Sequence, residues 1–211
     1  MSSRPSGLLG TFCEIIATTP VLPDVPDIAT WVLAQAIPIG SENTTFQGQP
    51  YDFDRFPVLS RLLCDFFQDP AAKELFLQKP VQTTFTTTVT FCAGWNMLFR
   101  GGNTIFLLHD RDASRDKTKD EILPLLRKIP ALGQSEEEAE NETTTSALRF
   151  STGIIYTGSG NTKSKVTSIP ASLVILDEGE LHRSIDGATS TQRGRERLTG
   201  ALHGGKLIFG S

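Results

Sequence analysis

The chain has 211 residues, of which 38% are hydrophobic and 21% charged. This apolar content suffices for one good-sized domain and excludes a wholly disordered chain, a collagen and a coiled coil. Since no run of 18 apolar residues occurs, the sequence predicts no membrane-spanning helix, and we expect no signal peptide. The net charge of −4 does not predict a stand-alone nucleic-acid binder, which is usually basic.

The three cysteines, Cys13, Cys64 and Cys92, lie far apart in the chain. Their odd number and wide spacing favour a reducing compartment over a disulfide scaffold. The spacing is also not that of a zinc site.

Prolines recur through residues 1–50, which we interpret as an extended arm or lid preceding a domain at 51–211. One short helix is predicted within the arm from Asp27 to Ala36, with Asp27 near its start. An amphipathic helix is predicted over 57–69, where apolar residues recur at helical spacing.

The rest of the sequence alternates between short apolar runs and helical patterns. Buried strands are predicted at 75–78, 104–109, 172–178 and 206–210, and a hairpin around Gly153 at 146–158. Helices are predicted at 86–99, 112–128 and 189–199, with Pro124 kinking or shortening the second, and 133–145 is an acidic loop. This pattern predicts an α/β fold with a mostly parallel sheet flanked by helices.

Ligands of such folds bind at the carboxyl ends of the strands, where Asp177 and Glu178 follow the run LVIL. In nucleotide hydrolases the first acid of such a pair holds Mg²⁺ and the second orients the attacking water. The alternative is a strand that simply ends in polar residues.

A phosphate-binding loop is expected between the strand at 75–78 and the helix at 86–99. The standard G-x-x-x-x-G-K-[ST] pattern is absent, because Thr84 stands at the second glycine and Phe85 at the lysine. Thr86 retains the hydroxyl that would reach Mg²⁺, and Lys79 is a candidate for the missing positive charge. The alternative is a threonine-rich turn without a ligand.

The order of these segments resembles the ATPase domain of phage terminase large subunits of the lambda-type packaging family. The resemblance covers roughly residues 30–211. It rests on the segments PYDFDRFP (50–57), FQDPAAKELFLQKPVQTT (67–84), 105–132, 149–178 and GGKLIFGS (204–211). In that family a lysine or arginine often stands at the start of the loop, and an aromatic residue can follow it.

The resemblance implies a P-loop NTPase-like fold of the RecA/ASCE type, with ATP and Mg²⁺ as cofactors. The implied catalytic residues are Lys79, Asp177 and Glu178, with Thr86 and Asp177 as ligands of Mg²⁺. The implied nucleotide-binding residues are Tyr51, near the adenine, and the loop residues Lys79, Pro80, Val81, Gln82, Thr83, Thr84, Phe85, Thr86 and Thr87. Gly210-Ser211 would begin the family's coupling motif, and the chain would end before the family's nuclease domain.

The implied function is hydrolysis of ATP to translocate viral DNA into the procapsid, in the cytoplasm of the host cell. The implied partners are double-stranded viral DNA, the portal protein, the small terminase subunit and further copies of the chain. An alternative is a degenerate domain that binds DNA or the portal without turnover. A helicase-like ATPase is disfavoured, because no second RecA-like domain follows.

Other polar segments carry weaker predictions. We interpret His109-Asp110 as ordinary strand-end residues and 111–119 as a solvated helix face. The arginines at 183, 193, 195 and 197 would contact DNA phosphates, reach a neighbouring subunit's nucleotide, or lie on a solvated helix. The loop at 158–165 is a candidate DNA contact through Lys163 and Lys165.

Overall fold

The computed structural model describes residues 25–38, 48–55, 57–78, 84–133, 147–162, 169–198, 200–201 and 204–211, with the side chains of 57–60 left aside. Six strands form one sheet: β1 (Glu74–Leu77), β2 (Thr104–Leu108), β3 (Ala147–Phe150), β4 (Gly153–Ser159), β5 (Leu173–Leu176) and β6 (Lys206–Gly210). Their order is β1-β6-β5-β2-β4-β3. All neighbours run parallel except β3, which pairs antiparallel with β4. The predicted mostly parallel sheet is confirmed.

In the part of the chain that the structure describes, six α-helices connect and cover these strands. They are α1 (Ile28–Ala34), α2 (Pro57–Gln68), α3 (Phe85–Phe99), α4 (Arg111–Lys117), α5 (Leu123–Arg127) and α6 (Ser190–Leu198). The single helix predicted at 112–128 is divided, because a π-helical segment at Thr118–Ile122 separates α4 from α5. Pro124 follows this segment at the start of α5, where its missing N–H is tolerated. Among the described residues, no helix is both long and apolar enough to cross a membrane.

The central strands are buried on both faces, which explains their continuous apolar sequences. On one face, Phe106 and Ile175 join the larger core, to which α1, α2 and α3 contribute. On the other face, Leu107 and Val174 form a smaller core against Leu198 of α6. The sheet is therefore the middle layer between two layers of helices.

Helix α3 begins in a threonine-rich segment whose β-branched residues are modest helix formers. The Thr88 hydroxyl donates to the Thr84 carbonyl oxygen over 2.9 Å, and the Thr90 hydroxyl donates to that of Thr86 over 2.7 Å. These bonds satisfy the hydroxyls inside the helix. Phe85 and Val89 are buried in the larger core, so tertiary burial stabilises the helix where local propensity does not.

Within 1–50, the segment interpreted as an arm or lid, the structure describes one helix, α1, which packs on the main core. Helix α1 begins where predicted, with the Asp27 carboxylate accepting from the Thr30 amide over 3.0 Å. Its apolar residues Ile28 and Val32 lie at helical spacing and are buried in the main core. Residues 1–24 and 39–47 lie outside the described residues.

Strand β1 was predicted to be buried, but it lies at the edge of the sheet and is half-buried. The side chain of Phe76 is 55% exposed. The apolar sequence LFL does not distinguish an edge strand from a central strand, because the strand order decides which strand has a single neighbour.

Lys206, at the start of β6, is fully buried beneath the end of α2. Its ammonium donates to three carbonyl oxygens, those of Phe66, Asp69 and Ala72, over 2.7–2.8 Å. It also lies 4.4 Å from the centre of the Phe66 ring. Phe66 lies in the last turn of α2, where carbonyl groups have no partners within the helix, and Asp69 and Ala72 lie in the connection to β1. This lysine therefore fastens the end of α2 and the following connection to the sheet.

Candidate nucleotide and metal site

The carboxyl ends of β1, β6, β5, β2 and β4 lie at one edge of the sheet, because these strands are parallel. Asp177 and Glu178 follow β5 there, and His109 and Asp110 follow β2. The amino end of α3, which begins at Phe85, meets the same edge. The residues predicted to follow the strands are thus brought together, as the topology requires.

Asp177 is the most deeply buried acid of the site, with no exposed surface. The Thr86 hydroxyl donates to its Oδ2 over 3.1 Å. The carboxylate of a buried strand end and a hydroxyl of the first turn of α3 therefore lie side by side. These are the two residues that the sequence analysis predicts as Mg²⁺ ligands.

The two oxygens fit a magnesium ion by chemistry and by spacing. Mg²⁺ prefers oxygen ligands in octahedral geometry, and bonds of about 2.1 Å at right angles place neighbouring ligands roughly 3.0 Å apart. The observed separation of Thr86 Oγ1 and Asp177 Oδ2 is 3.1 Å. No group of three or more His, Cys, Asp or Glu side chains suited to a metal occurs in the described part of the chain. One hydroxyl and one carboxylate suit a Mg²⁺ ion that takes its other ligands from phosphate and water.

Lys117 joins this pair, and sequence reasoning missed it. Its Nζ lies 3.3 Å from Thr86 Oγ1 and 3.3 Å from Asp177 Oδ2. The segment 111–119 was interpreted as a solvated helix face because of its mixed charges. The informative pattern was the spacing of the small residues Ala113, Ser114 and Thr118, which indicates the face of the helix that packs inward. Lys117 lies on this same face.

Glu178 points to a different group of polar side chains. Its carboxylate pairs with Nδ1 of His109, and Nε2 of the same ring lies 2.8 Å from Oδ2 of Asp110. A neutral imidazole has one N–H, so only the imidazolium donates to both carboxylates. Asp110 also caps α4, accepting from the amides of Asp112 and Ala113. Asp110 thus has the structural role expected of a strand-end residue, whereas His109 is a direct partner of Glu178.

Thr84 occupies the position of the missing loop glycine and adopts a left-handed backbone conformation, with φ +56° and ψ +22°. Glycine adopts this conformation freely, whereas a β-branched residue is strained in it. Thr84 therefore has a backbone conformation that a glycine at this position would adopt without strain. Lys79, Pro80, Val81, Gln82 and Thr83 lie outside the described residues.

Replacing Thr84 with glycine should stabilise the protein by about 0.5–1 kcal/mol, because the relief of left-handed strain exceeds the added entropy of the unfolded chain. Urea denaturation measures the change. The matched control is Thr87→Gly, in the first turn of α3, which should lower the free energy of unfolding by up to about 1 kcal/mol. Equal destabilisation by both substitutions would contradict the strain at Thr84.

Phe85, at the position of the standard lysine, places its side chain in the larger core. Its side chain is buried, and a Cβ added to Gly210 would lie 2.6 Å from its ring. Glycine at 210 therefore allows the start of α3 to pack closely on the end of β6. The side chain of Phe85 thus belongs to the core, while its backbone amide lies at the amino end of α3.

Tyr51 lies beside the start of α3, fully buried, and its hydroxyl pairs with the hydroxyl of Thr88. With Thr87 and Phe91 it lines a small cavity whose other wall contains Asp120 and further residues of the π-helical segment and α5. The cavity adjoins the amino end of α3.

Two arginines of the predicted basic cluster have partners within the domain. Arg195 pairs with both carboxylate oxygens of Glu74 on β1, over 2.5 and 2.7 Å. The Arg193 guanidinium donates to the carbonyl oxygen of Gly160 over 2.6 Å. These contacts fasten α6 to the sheet. Lys163 and Lys165 lie outside the described residues.

Comparison with known families identifies one match. Residues 47–211, well over half of the chain, match the family described as phage terminase large subunit gpA, ATPase domain. No curated protein and no solved structure gave a match. The matched range contains all six strands and every site residue described above. It confirms the resemblance drawn from the ordered motifs and the P-loop NTPase-like fold that the resemblance implied.

Proposed function

The chain belongs to the family of ATPase domains of phage terminase large subunits, and from this premise we propose that it binds Mg²⁺ and ATP and hydrolyses the nucleotide to translocate viral DNA into the procapsid. The observation that carries the proposal is the pairing of Thr86 with the buried Asp177 at the amino end of α3. This is where a nucleotide hydrolase needs a hydroxyl and a carboxylate for its metal.

In this proposal the phosphates bind at the amino end of α3, where backbone amides point toward a ligand. Lys79, at the start of the loop, supplies positive charge to them. Thr86 and Asp177 hold the metal, which when bound supplies charge neutralisation of the β- and γ-phosphates. Thr84 supports this arrangement because its left-handed backbone turns the loop into the helix.

Glu178 is the proposed general base, accepting a proton from the attacking water. Its contact with His109 supports the proposal, because a base must be held in a defined orientation. His109 is in turn fixed by Asp110, the capping residue of α4. We assign His109 a positioning role, since it acts on the reaction through Glu178.

The cavity beside Tyr51 is the proposed site of the adenine. An aromatic ring, apolar walls and a few polar groups are typical of such pockets. The carboxylate of Asp120 in its lining is an acceptor suited to an amino group. The cavity lies next to Thr87, so base and phosphates would be held at the two sides of the first turn of α3.

The family further suggests the partners of this activity, which are double-stranded viral DNA, the portal protein, the small terminase subunit and further copies of the chain. The host-cell cytoplasm is the proposed location. Arg183 remains a candidate for a DNA or neighbouring-subunit contact, since Arg193 and Arg195 have partners within the domain.

Mg²⁺-dependent ATPase activity, measured with and without duplex DNA, tests the proposal. Asp177→Asn should lower turnover at least about 100-fold, since the metal loses its charged ligand. Lys79→Ala should lower it through weaker phosphate binding. Nucleotide affinity measured in Mg²⁺ and in EDTA separates the two effects, because Asp177→Asn should weaken only the binding that requires the metal.

The matched control is Asp116→Asn, since Asp116 is exposed on α4 and the substitution changes the net charge equally. It should leave turnover within about twofold. A parent protein that binds neither ATP nor ADP, with or without DNA, would contradict the proposed activity. That result would favour the alternative of a degenerate domain that binds DNA or the portal.

A further inference from the structure

We propose that Lys117 is a placeholder cation, whose ammonium occupies the metal side of Thr86 and Asp177 until Mg²⁺ displaces it. The proposal rests on the proposed function for the identity of the metal, but it concerns the metal-free protein and needs no nucleotide for its test. It assigns a role to a lysine that neither the loop pattern nor the strand ends would single out.

The geometry of three atoms carries the proposal. Lys117 Nζ lies 3.3 Å from both Thr86 Oγ1 and Asp177 Oδ2, and these two oxygens lie 3.1 Å from each other. The ammonium therefore contacts the same two oxygens that fit the coordination of Mg²⁺. Since Mg²⁺ carries two positive charges, it repels an ammonium that close, and the two cations exclude each other.

The burial of the carboxylate explains why the metal-free site needs a cation. Asp177 has no exposed side-chain surface, and a buried carboxylate is costly without a nearby positive charge. Lys117 retains 27% of its side-chain exposure. Its flexible stem therefore has a path to solvent when the metal arrives.

The position of Lys117 along the chain also suits a residue that moves. It is the last residue of α4, and the π-helical segment Thr118–Ile122 follows at once. Such segments mark functional sites more often than ordinary helix interiors. The other end of α4 is capped by Asp110, which contacts His109, the partner of Glu178. Metal entry would thus act on the helix that also supports the proposed base.

The test compares Lys117→Met with the parent protein in the absence of nucleotide. In EDTA the variant should melt roughly 5 °C below the parent, because the buried carboxylate has lost its ammonium. About 5 mM MgCl₂ should restore at least half of that loss in the variant and shift the parent by less than about 1 °C. Titration with Mn²⁺, followed by electron paramagnetic resonance, should show at least roughly tenfold tighter binding to the variant.

The matched control is Lys119→Met, which removes an equal charge from an exposed neighbour two residues away. It should match the parent in stability and in Mn²⁺ affinity. Equal Mn²⁺ affinity for Lys117→Met and the parent would overturn the proposal. So would a stability of Lys117→Met in EDTA equal to that of Lys119→Met.

A double variant keeps the test decisive if Lys117→Met does not fold without metal. Combining it with Asp177→Asn removes the charge that needs the placeholder, so the double variant should fold in EDTA and gain nothing from MgCl₂. A double variant that also fails to fold would overturn the proposal. These readouts need no ATP. A protein without ATPase activity would therefore contradict the proposed function, whereas the Mn²⁺ affinities would still test the role of Lys117.

Discussion

Replacing Glu178 with glutamine should lower ATP turnover by at least about 100-fold, because the amide cannot accept the proton of the attacking water. Nucleotide affinity should stay within about threefold of the parent, since the proposed metal ligands Thr86 and Asp177 are untouched. Glutamine has the shape of glutamate, so the left-handed backbone at 178, with φ +53°, is not further strained. Single-turnover hydrolysis and equilibrium nucleotide binding, measured side by side, separate the two effects.

The control for this substitution is Glu180→Gln, two residues along the same 3₁₀ turn and exposed. It changes the net charge equally and should leave turnover within about twofold. Turnover of the Glu178 variant within about tenfold of the parent would show that another group activates the water. In that case His109, which contacts Glu178, would be the next residue to replace.

Replacing Lys206 with methionine should lower the free energy of unfolding by about 2–3 kcal/mol, because three carbonyl groups, one of them buried and two partly buried, lose a charged donor. Burial lowers the pKa of Lys206 to about 8, so at pH 7 the amine is mainly charged and can donate all three hydrogen bonds. Methionine fills a similar volume, which separates loss of the hydrogen bonds from creation of a cavity. Urea denaturation at pH 7 measures the difference.

Lys73→Met is the control for this measurement. The Lys73 ammonium also donates to a carbonyl oxygen of the same connection, that of Pro70, but the side chain is exposed. Water can replace that donor, so the substitution should leave the free energy of unfolding almost unchanged. Similar stability of the two variants would mean that the buried ammonium contributes no more than a surface one.

The sequence predicted the central strands and the helices well, because burial on both faces produces continuous apolar runs with polar punctuation. Strand β6 was predicted at its observed limits, 206–210, and the other strands within two residues. Strand order was not accessible to the same reasoning. The exposure of Phe76 follows from β1 lying at the edge, and no local pattern in LFL encodes that position.

Part of the candidate site was also visible in the sequence. An acid at the end of an apolar strand and a hydroxyl at the start of the next helix are local features, and they identified Asp177 and Thr86. Lys117 was missed because its role depends on how α4 packs against the sheet, about 30 residues from Thr86 and 60 from Asp177 along the chain. His109 was undervalued for the same reason, since it follows β2 whereas its partner Glu178 follows β5.

The two parallel neighbours of β6 determine how this strand resists a mechanical force. It pairs with β1 on one side and β5 on the other, and its last residues continue the ladder to Ser211, whose amide donates to the carbonyl oxygen of Leu77. A force applied along the strand at Ser211 therefore loads both ladders in shear, so that their hydrogen bonds share the force. A force applied across the strand would instead break the hydrogen bonds one after another. Strand β6, which ends between the proposed phosphate loop and Asp177, can therefore transmit tension along its length while its hydrogen bonds to β1 and β5 remain intact.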